Sequence, residues 1–358
     1  MHIGLLRRLC VEKNHWIDAE EFEHAVTTTN LLPGPASTQL AIYCGWRLRG
    51  VRGGLVAGLC FILPGLVLIL ALSALFLSHH PPLWMKGAAM GAGAAIPAVA
   101  LRTARQLSAP SLCRVHRQRF ATVRWVLYAA AGGFAAALFA PLMVLVILAT
   151  GFVETSIKLR HDSSGRTLGF AGPSPIAHVG AIGGLGGLAW VAFKVGALSY
   201  GGGFVIIPLM QHDVVTTYHW MTGAQFLNAV VLGQVTPGPV VLTVSAVGYA
   251  AKGIIGGLLG AAVAFSPSFL FVLAGAPRFE RIRANAKATA FLAGAGPCVI
   301  GAIAGSAIPL GLLLQRLWQV PLLAGAMIWL FVVRKSALGA LLLSAAAGVV
   351  IVLARMHA

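Results

Sequence analysis

Residues 25–46 read AVTTTNLLPGPASTQLAIYCGW and contain no charged side chain. Pro33, Gly34 and Pro35 interrupt this window near its centre. Proline has no N–H to donate, and it disfavours helical backbone in the residue before it. The window is therefore predicted to form two half-helices with a break between them, rather than one continuous helix.

The same motif returns 204 residues later as Pro237-Gly238-Pro239, inside a second uncharged window at residues 225–251. Other residues recur at the same spacing of 204 residues, or at a spacing of 203 residues after a gap of one residue. Matched pairs are His15 with His219, Trp16 with Trp220, Phe22 with Phe226, Gly45 with Gly248, Gly50 with Gly253, and Pro64 with Pro267. Shared composition alone would not keep tryptophan, histidine and proline in register, so the chain is predicted to contain two homologous halves.

The composition predicts a membrane protein. Of the 358 residues, 58% are hydrophobic and 10% are charged, with a mean hydropathy of +0.86. A soluble domain has about 25% charged residues. The uncharged windows Leu55–Leu77 and Ala288–Leu314 are each long enough to cross a hydrocarbon core of about 30 Å as a helix. The predicted fold class is an all-α polytopic membrane protein.

Three regions are expected along the chain. They are a first transporter repeat at residues 1–153, a polar linker at 154–178, and a second repeat at 179–358. Met1 aligns with Val205, so the first repeat lacks a counterpart of the helix that precedes Phe204. We expect either upstream coding sequence for an apolar span or a true truncation.

The positive charges indicate opposite membrane orientations for the halves. Loops that are rich in basic residues in one half are poor in them in the other. Arg47, Arg49 and Arg52 lie in one first-half loop whose counterpart has only Lys252. Another first-half loop has Arg102, Arg105, Arg114, Arg117, Arg119 and Arg124, and its counterpart has only Arg316. Conversely, the first-half loop with Lys86 corresponds to a second-half loop with Arg278, Arg281, Arg283 and Lys287. Under the positive-inside rule this exchange predicts an inverted topology, with Arg114 and Arg281 cytoplasmic and Lys252 outside. The net charge of +17 is then a loop bias, and no nucleic-acid partner is expected.

The orientation is consistent only if each Pro-Gly-Pro segment is a re-entrant hairpin that returns to its own side of the membrane. A single break of this kind is most simply a packing kink. Two breaks at corresponding positions of inverted halves are typical of a transport site.

Half-helices that begin at membrane depth present free N–H groups and a partial positive charge, which together bind anions. This predicts a substrate site near both breaks. Its candidate residues are Asn30, Pro33, Gly34, Pro35, Ser37 and Thr38 in the first half, and Gln234, Thr236, Pro237, Gly238 and Pro239 in the second.

A second candidate segment is Phe193-Lys194-Val195-Gly196 followed by Ser199 and a glycine triplet. Lys194 is the only formal charge between His178 and Asp213. It is either a snorkelling lysine near an interface or an intramembrane cation that attracts a dianion. The binding candidates here are Lys194, Ser199, Gly201, Gly202 and Gly203.

The remaining residue types argue against cationic cargo and against an enzyme. None of the nine acids lies in the middle of an apolar window, and no C-x-x-C pair or nucleophile–base spacing occurs. No metal or cofactor is therefore expected. A proton-coupling residue is not identified; the nearest candidates, Glu23, His24, His212 and Asp213, are more typical of interfacial polar positions.

These motifs resemble the chromate ion transporter family. The resemblance rests on residues 22–37, on F-I-L-P-G at Phe61–Gly65, on F-K-V-G and G-G-G-F around Lys194, and on Q-V-T-P-G-P at Gln234–Pro239. It implies a multi-pass secondary transporter of the inner (plasma) membrane. Such a protein exports chromate on the membrane potential or proton gradient and confers chromate resistance.

The expected partners are chromate or a sulfate-like oxyanion and the lipid bilayer, and the sequence is compatible with a homo-oligomer. The alternatives are a carrier for sulfate or another anion, and a passive anion channel.

Overall fold

The computed structural model describes most of the chain. The described residues are 2–29, 32, 34–77, 82–113, 115, 119–162, 184–199, 204, 206–276, 279 and 285–354. Among the candidates, Asn30, Pro33, Gly201, Gly202 and Gly203 lie outside them. So do the two loop residues of the topology prediction, Arg114 and Arg281.

All regular structure in the described residues is helical. In the first half the helices are α1 (His2–Arg7), α2 (Ala19–Thr29), α3 (Ala36–Phe76), α4 (Leu83–Cys113), α5 (Arg119–Leu138) and α6 (Met143–Asp162). In the second half they are α7 (Leu185–Leu198), α8 (Ile206–Gln211), α9 (Gly223–Val235), α10 (Thr243–Gly275), α11 (Ala286–Gly305), α12 (Ala307–Leu312), α13 (Gln319–Phe331) and α14 (Ala337–Ala354).

Several of these helices are suited to a bilayer. Within the described residues, five helical stretches are long and apolar enough to cross it: Ala36–Phe76, Arg119–Leu138, Val240–Gly275, Ala286–Leu312 and Ala337–Ala354. A helix satisfies its own backbone hydrogen bonds, which is what a segment in hydrocarbon requires. The predicted all-helical polytopic membrane protein is confirmed.

Matching positions of the two halves share unusual backbone conformations. His15 and His219 have φ of 48° and 52°, although neither is a glycine. Each follows a π-helical turn, Arg8–Lys13 in the first half and His212–Thr217 in the second. The halves therefore resemble each other in local geometry as well as in sequence.

α3 is a hairpin of two arms. Its helical backbone fails at Arg49 and Gly50, which divide it into a first arm (36–48) and a second arm (51–76). A Cβ added to Gly45 would lie only 2.4 Å from the Gly53 carbonyl oxygen, so the arms fold back against each other. α10 has the same break at Lys252 and Gly253, with arms at 243–251 and 254–275.

α2 also runs antiparallel to the first arm of α3. Glu21, at the start of α2, accepts hydrogen bonds from Arg47 Nε at 2.5 Å and from Tyr43 Oη at 3.2 Å, both late in the first arm. The segment with Pro35 thus forms the turn of a second hairpin, which we call the first tip (Leu32, Gly34 and Pro35 in the described residues). Its counterpart, the second tip, is Thr236–Pro239.

The second arms of α3 and α10 pack against each other in opposite directions. Gly54 contacts Leu273, and Gly257 contacts Leu70. At the offset of 203 residues, Gly54 corresponds to Gly257 and Leu70 to Leu273. The two contacts therefore join matching positions of the two arms.

The remaining helices interlock the halves through small residues. α4 packs on α14, where a Cβ at Gly91 would lie 2.1 Å from the Ser344 carbonyl oxygen. α11 packs on α5, where a Cβ at Gly301 would lie 1.8 Å from the Ala129 carbonyl oxygen. Such contacts are typical of membrane helices, which associate through close backbone approach. Each half thus packs against the last helices of the other.

α6 continues to Asp162, so the start of the segment 154–178, predicted as a polar linker, is helical. α5 and α6 have 20 residues each, which gives each helix a length of about 30 Å.

Candidate functional site

The first tip lies where three elements of the protein meet. Gly34 has a φ of 125°, and its N–H donates to the Ser199 carbonyl oxygen at the end of α7, 3.1 Å away. A Cβ at Gly34 would lie 2.7 Å from Ser268 Oγ, on the second arm of α10, and 2.5 Å from Gln39 Nε2. Glycine is needed here because an L side chain rarely adopts this backbone and would find no room.

The second tip packs on the other half in the same way. Gly238 has a φ of 142°, and a Cβ at Gly65 would lie 2.6 Å from the Pro237 carbonyl oxygen. Gly65 and Ser268 occupy equivalent positions, each one residue after the proline of a second arm. Each tip therefore packs against the second arm of the long helix in the opposite half. Pro237 is exposed, whereas the first tip is buried.

Both helices that follow the tips begin without a side-chain cap. Pro35 precedes α3, and Pro239 precedes the 3₁₀ turn Val240–Leu242 that leads into α10. By contrast, Thr222 and Gln225 form a complete capping box at the start of α9. The proline starts leave the first N–H groups of the half-helices available to a ligand.

Hydroxyl groups surround the tips without hydrogen-bond partners among the described residues. These are the side-chain oxygens of Thr38, Ser199, Thr236 and Ser268, which are all buried. The side-chain amide nitrogen of Gln234 is also buried without a hydrogen-bond partner among the described residues. A buried polar group with no partner costs about 1–3 kcal/mol, so this cluster is suited to a ligand that supplies acceptors.

Lys194 is paired rather than free. Its Nζ lies 2.5 Å from Asp213 Oδ2, and the two side chains are only 20% and 11% exposed. Nζ also lies 5.8 Å from the centre of the Trp190 ring. The Asp213 carboxylate thus neutralises the charge of Lys194 in this conformation.

The structure brings some of the predicted residues together and separates others. Gly34, Thr38 and Ser199 meet at the first tip, and the segment from Gln234 to Pro239 forms the second. Pro35 and Pro239 are buried starts of the following helices, and Ser37 is half-buried in the first turn of α3. Lys194 lies five residues before Ser199 and points to Asp213.

Sequence reasoning missed Ser268 and Gln39 as members of the first tip. Ser268 could have been noticed because it replaces the Gly65 of the first half directly after a matched proline. Gln39 follows the motif by one turn of helix and carries an amide inside an apolar window. No group of three or more possible metal ligands converges within the described part of the chain.

A multi-pass helical protein with paired helix breaks, each lined by buried donors, has the architecture of a membrane transport protein. The chain belongs to the chromate transporter family, whose sequence profile matches residues 1–154 and 186–352. This is a transporter family and not a family of enzymes.

Relatives with known names align with most of the chain. The chromate transport protein of Cupriavidus metallidurans is 30% identical over 332 residues, which are 86% of this chain and 77% of the relative. The chromate transport protein of Pseudomonas aeruginosa is 29% identical, with 86% and 76% covered. A probable chromate transport protein of Synechococcus elongatus is 28% identical, with 86% and 79% covered. No solved structure matches the chain significantly.

Proposed function

We propose that this protein is a secondary transporter that exports chromate, or a similar tetrahedral oxyanion, across the inner membrane and thereby confers chromate resistance. Its family membership supports chromate as the substrate class. The mechanism rests on one observation, the contact of each tip with the second arm of the other half. Each contact places an uncapped half-helix and buried hydroxyls against that arm.

The two halves are proposed to lie in opposite membrane orientations, with each tip at the end of a re-entrant hairpin. The antiparallel second arms support this, because equivalent helices that both cross the membrane in opposite directions belong to inverted repeats. The exchange of positive charge between equivalent loops is a second, independent support. An inverted pair of this kind suits alternating access better than it suits a permanently open pore.

The anion is proposed to bind mainly through neutral donors. A dianion that leaves water must exchange its hydration for other hydrogen bonds, because an uncompensated buried charge is very unfavourable. The N–H groups after Pro35 and Pro239 and the hydroxyls of Thr38, Ser199, Thr236 and Ser268 are suited to this exchange. Asn30, Pro33 and Gly201–Gly203 remain candidates from the sequence.

Replacing Ser268 by alanine tests this site. A hydrogen bond to a charged group contributes about 1.5–3 kcal/mol, so we expect the apparent affinity for chromate to fall by roughly ten- to a hundredfold. Stability should be unchanged or slightly higher, because the hydroxyl removed is buried and without a partner in the described residues. The measurement is the concentration dependence of chromate flux in membrane vesicles, together with thermal unfolding of the solubilised protein.

Ser266→Ala is the matched control on the same helix. Ser266 Oγ donates to the Val263 carbonyl oxygen at 2.8 Å and is exposed, so its removal should leave the affinity unchanged. Equal affinities for Ser268→Ala and the unmodified protein would exclude Ser268 from the site.

A further inference from the structure

We propose that an anionic phospholipid binds in the groove between the second arms of α3 and α10, with an acyl chain along the groove and its phosphate on Arg52. This inference goes beyond the proposed function. It does not depend on which anion the protein transports.

The groove is apolar and partly open to the surface of the protein. Its volume is about 740 Å³, and among the described residues that line it only Ser266 has a polar side chain. Leu59, Leu63 and Leu258 in its walls are each about half exposed. Lipid tails are as apolar as leucine, so in a chain that crosses a bilayer this surface is suited to an acyl chain.

The α3 wall of the groove leads directly to an arginine. Leu55, Leu59 and Leu66 line the groove and follow Arg52 by three, seven and fourteen residues. This spacing places all four side chains on one face of the helix. Arg52 is exposed and has no carboxylate partner within the described residues. A general excess of basic residues in a loop does not require this register with an apolar groove.

The two ends of the groove differ in charge. At the offset of 203 residues Arg52 corresponds to Ile255, so the opposite end has an apolar side chain in place of the guanidinium. Each end also has a basic residue in the helix break, Arg49 near Arg52 and Lys252 near Ile255. The Arg52 end is therefore the more basic one, and it favours an anionic headgroup.

The length of the groove fits one acyl chain. Its α3 wall runs from Leu55 to Leu66, which is about 17 Å at about 1.5 Å per residue. One leaflet is half of a hydrocarbon core of about 30 Å. A chain whose headgroup is held at Arg52 would therefore follow the groove through one leaflet of the bilayer.

A second copy of the protein fits this groove less well. A dimer formed here about a two-fold axis along the membrane normal would bring the two Arg52 side chains to the same side of one interface. Like charges that are brought together in this way are unfavourable. A phosphate, by contrast, compensates the guanidinium.

The groove lies directly behind the candidate site. Leu66 and Phe269 line it, and each follows the residue that contacts a tip, Gly65 for the second tip and Ser268 for the first. A bound lipid would therefore pack against the two arms that hold the tips.

The test measures how much radiolabelled phosphatidylglycerol stays with the purified protein on gel filtration in detergent, against phosphatidylcholine with the same acyl chains. We expect the unmodified protein to prefer phosphatidylglycerol. In Arg52→Gln this preference should fall roughly fivefold, the effect of one basic residue on an anionic lipid, and Arg52→Lys should retain most of it. Glycerol phosphate, which has the headgroup chemistry without the chains, should not compete.

A second variant tests the groove itself. Ala262 is exposed on the α10 wall, so Ala262→Phe should fill the groove and reduce the retention of phosphatidylglycerol. Arg119→Gln is the matched control, because Arg119 is an exposed arginine at the start of α5 and does not line the groove. It should keep the preference of the unmodified protein.

Three results would overturn the inference. One is an equal loss of preference in Arg119→Gln and Arg52→Gln, which would indicate surface charge in general. Another is a loss in Lys252→Gln and not in Arg52→Gln, which would place the headgroup at the wrong end. The third is a dimer that Ala262→Phe converts to a monomer with phosphatidylglycerol retention unchanged, which would make the groove an interface between copies.

Discussion

Chromate flux is expected to fall to background when either Gly34 or Gly238 is replaced by leucine. Both glycines have a positive φ, 125° and 142°, in which an L residue is strained by about 1–3 kcal/mol. A Cβ at Gly34 would also lie 2.7 Å from Ser268 Oγ, and one at Gly238 would lie 3.0 Å from Leu242 Cδ1. The side chain would fill the space in which the anion meets the half-helices. The measurement is chromate flux at matched expression.

Two controls separate this effect from a general intolerance of glycine replacement. Gly325 on α13 has no atom within 4 Å of an added Cβ, so Gly325→Leu should insert and transport normally. Gly50 has a φ of 60° but equally open surroundings, so Gly50→Ala should lose stability and keep flux. Near-normal flux in both Gly34→Leu and Gly238→Leu would remove the tips as the binding site. The segment from Lys194 to Gly203 would then be the better candidate.

Lys194→Ala is expected to lower the free energy of unfolding by about 3–5 kcal/mol, since it leaves the buried Asp213 carboxylate without its partner. It should also weaken chromate binding, and Lys194→Arg should weaken it less because the charge is retained. Chemical or thermal unfolding of the solubilised protein measures the first effect, and chromate binding measures the second.

The double variant Lys194→Ala/Asp213→Ala provides the control. With both charges removed, most of the lost stability should return, because paired apolar replacements of a buried ion pair are close to neutral. Chromate binding should stay weak, because the cation is absent. If the double variant lost as much stability as Lys194→Ala and Asp213→Ala lose together, the two side chains would not interact as the 2.5 Å contact indicates.

The helical membrane architecture was predictable because it depends on local composition. Uncharged windows such as Leu55–Leu77 are long enough to cross a bilayer, and a helix is the structure that satisfies their backbone in lipid. The helix starts depend on local sequence in the same way, since α3 begins directly after Pro35 and the turn before α10 begins directly after Pro239. Each half contains the information for these features within a few residues.

The extents of α5 and α6 could not be predicted from hydropathy alone, because polar residues lie at both ends of the apolar stretch that they share. Arg124 lies in the second turn of α5 and Glu154 near the middle of α6, and the two side chains pair with each other, Nε to Oε2 at 3.1 Å. Tyr128 Oη also donates to Glu154 at 3.2 Å. Mutual compensation lets both helices continue through residues that a hydropathy window treats as boundaries.

The composition of the first tip could not be predicted from the motif alone. Ser268 reaches Gly34 only because the second arm of α10 packs against the opposite half, at a separation that no local pattern encodes. The partner of Lys194 was hidden for a related reason. Asp213 lies on a separate element from Lys194, so no helical spacing within α7 indicates it.

The most direct test of the account is radiolabelled chromate uptake into liposomes that contain only the purified protein, with sulfate in excess as competitor. We expect saturable uptake that sulfate inhibits, that chloride does not inhibit, and that is absent in the Gly34→Leu protein. Saturation and competition by a second tetrahedral dianion would indicate a binding site rather than an open channel. Uptake no faster than in protein-free liposomes, or uptake equally fast in Gly34→Leu, would contradict transport through the two tips.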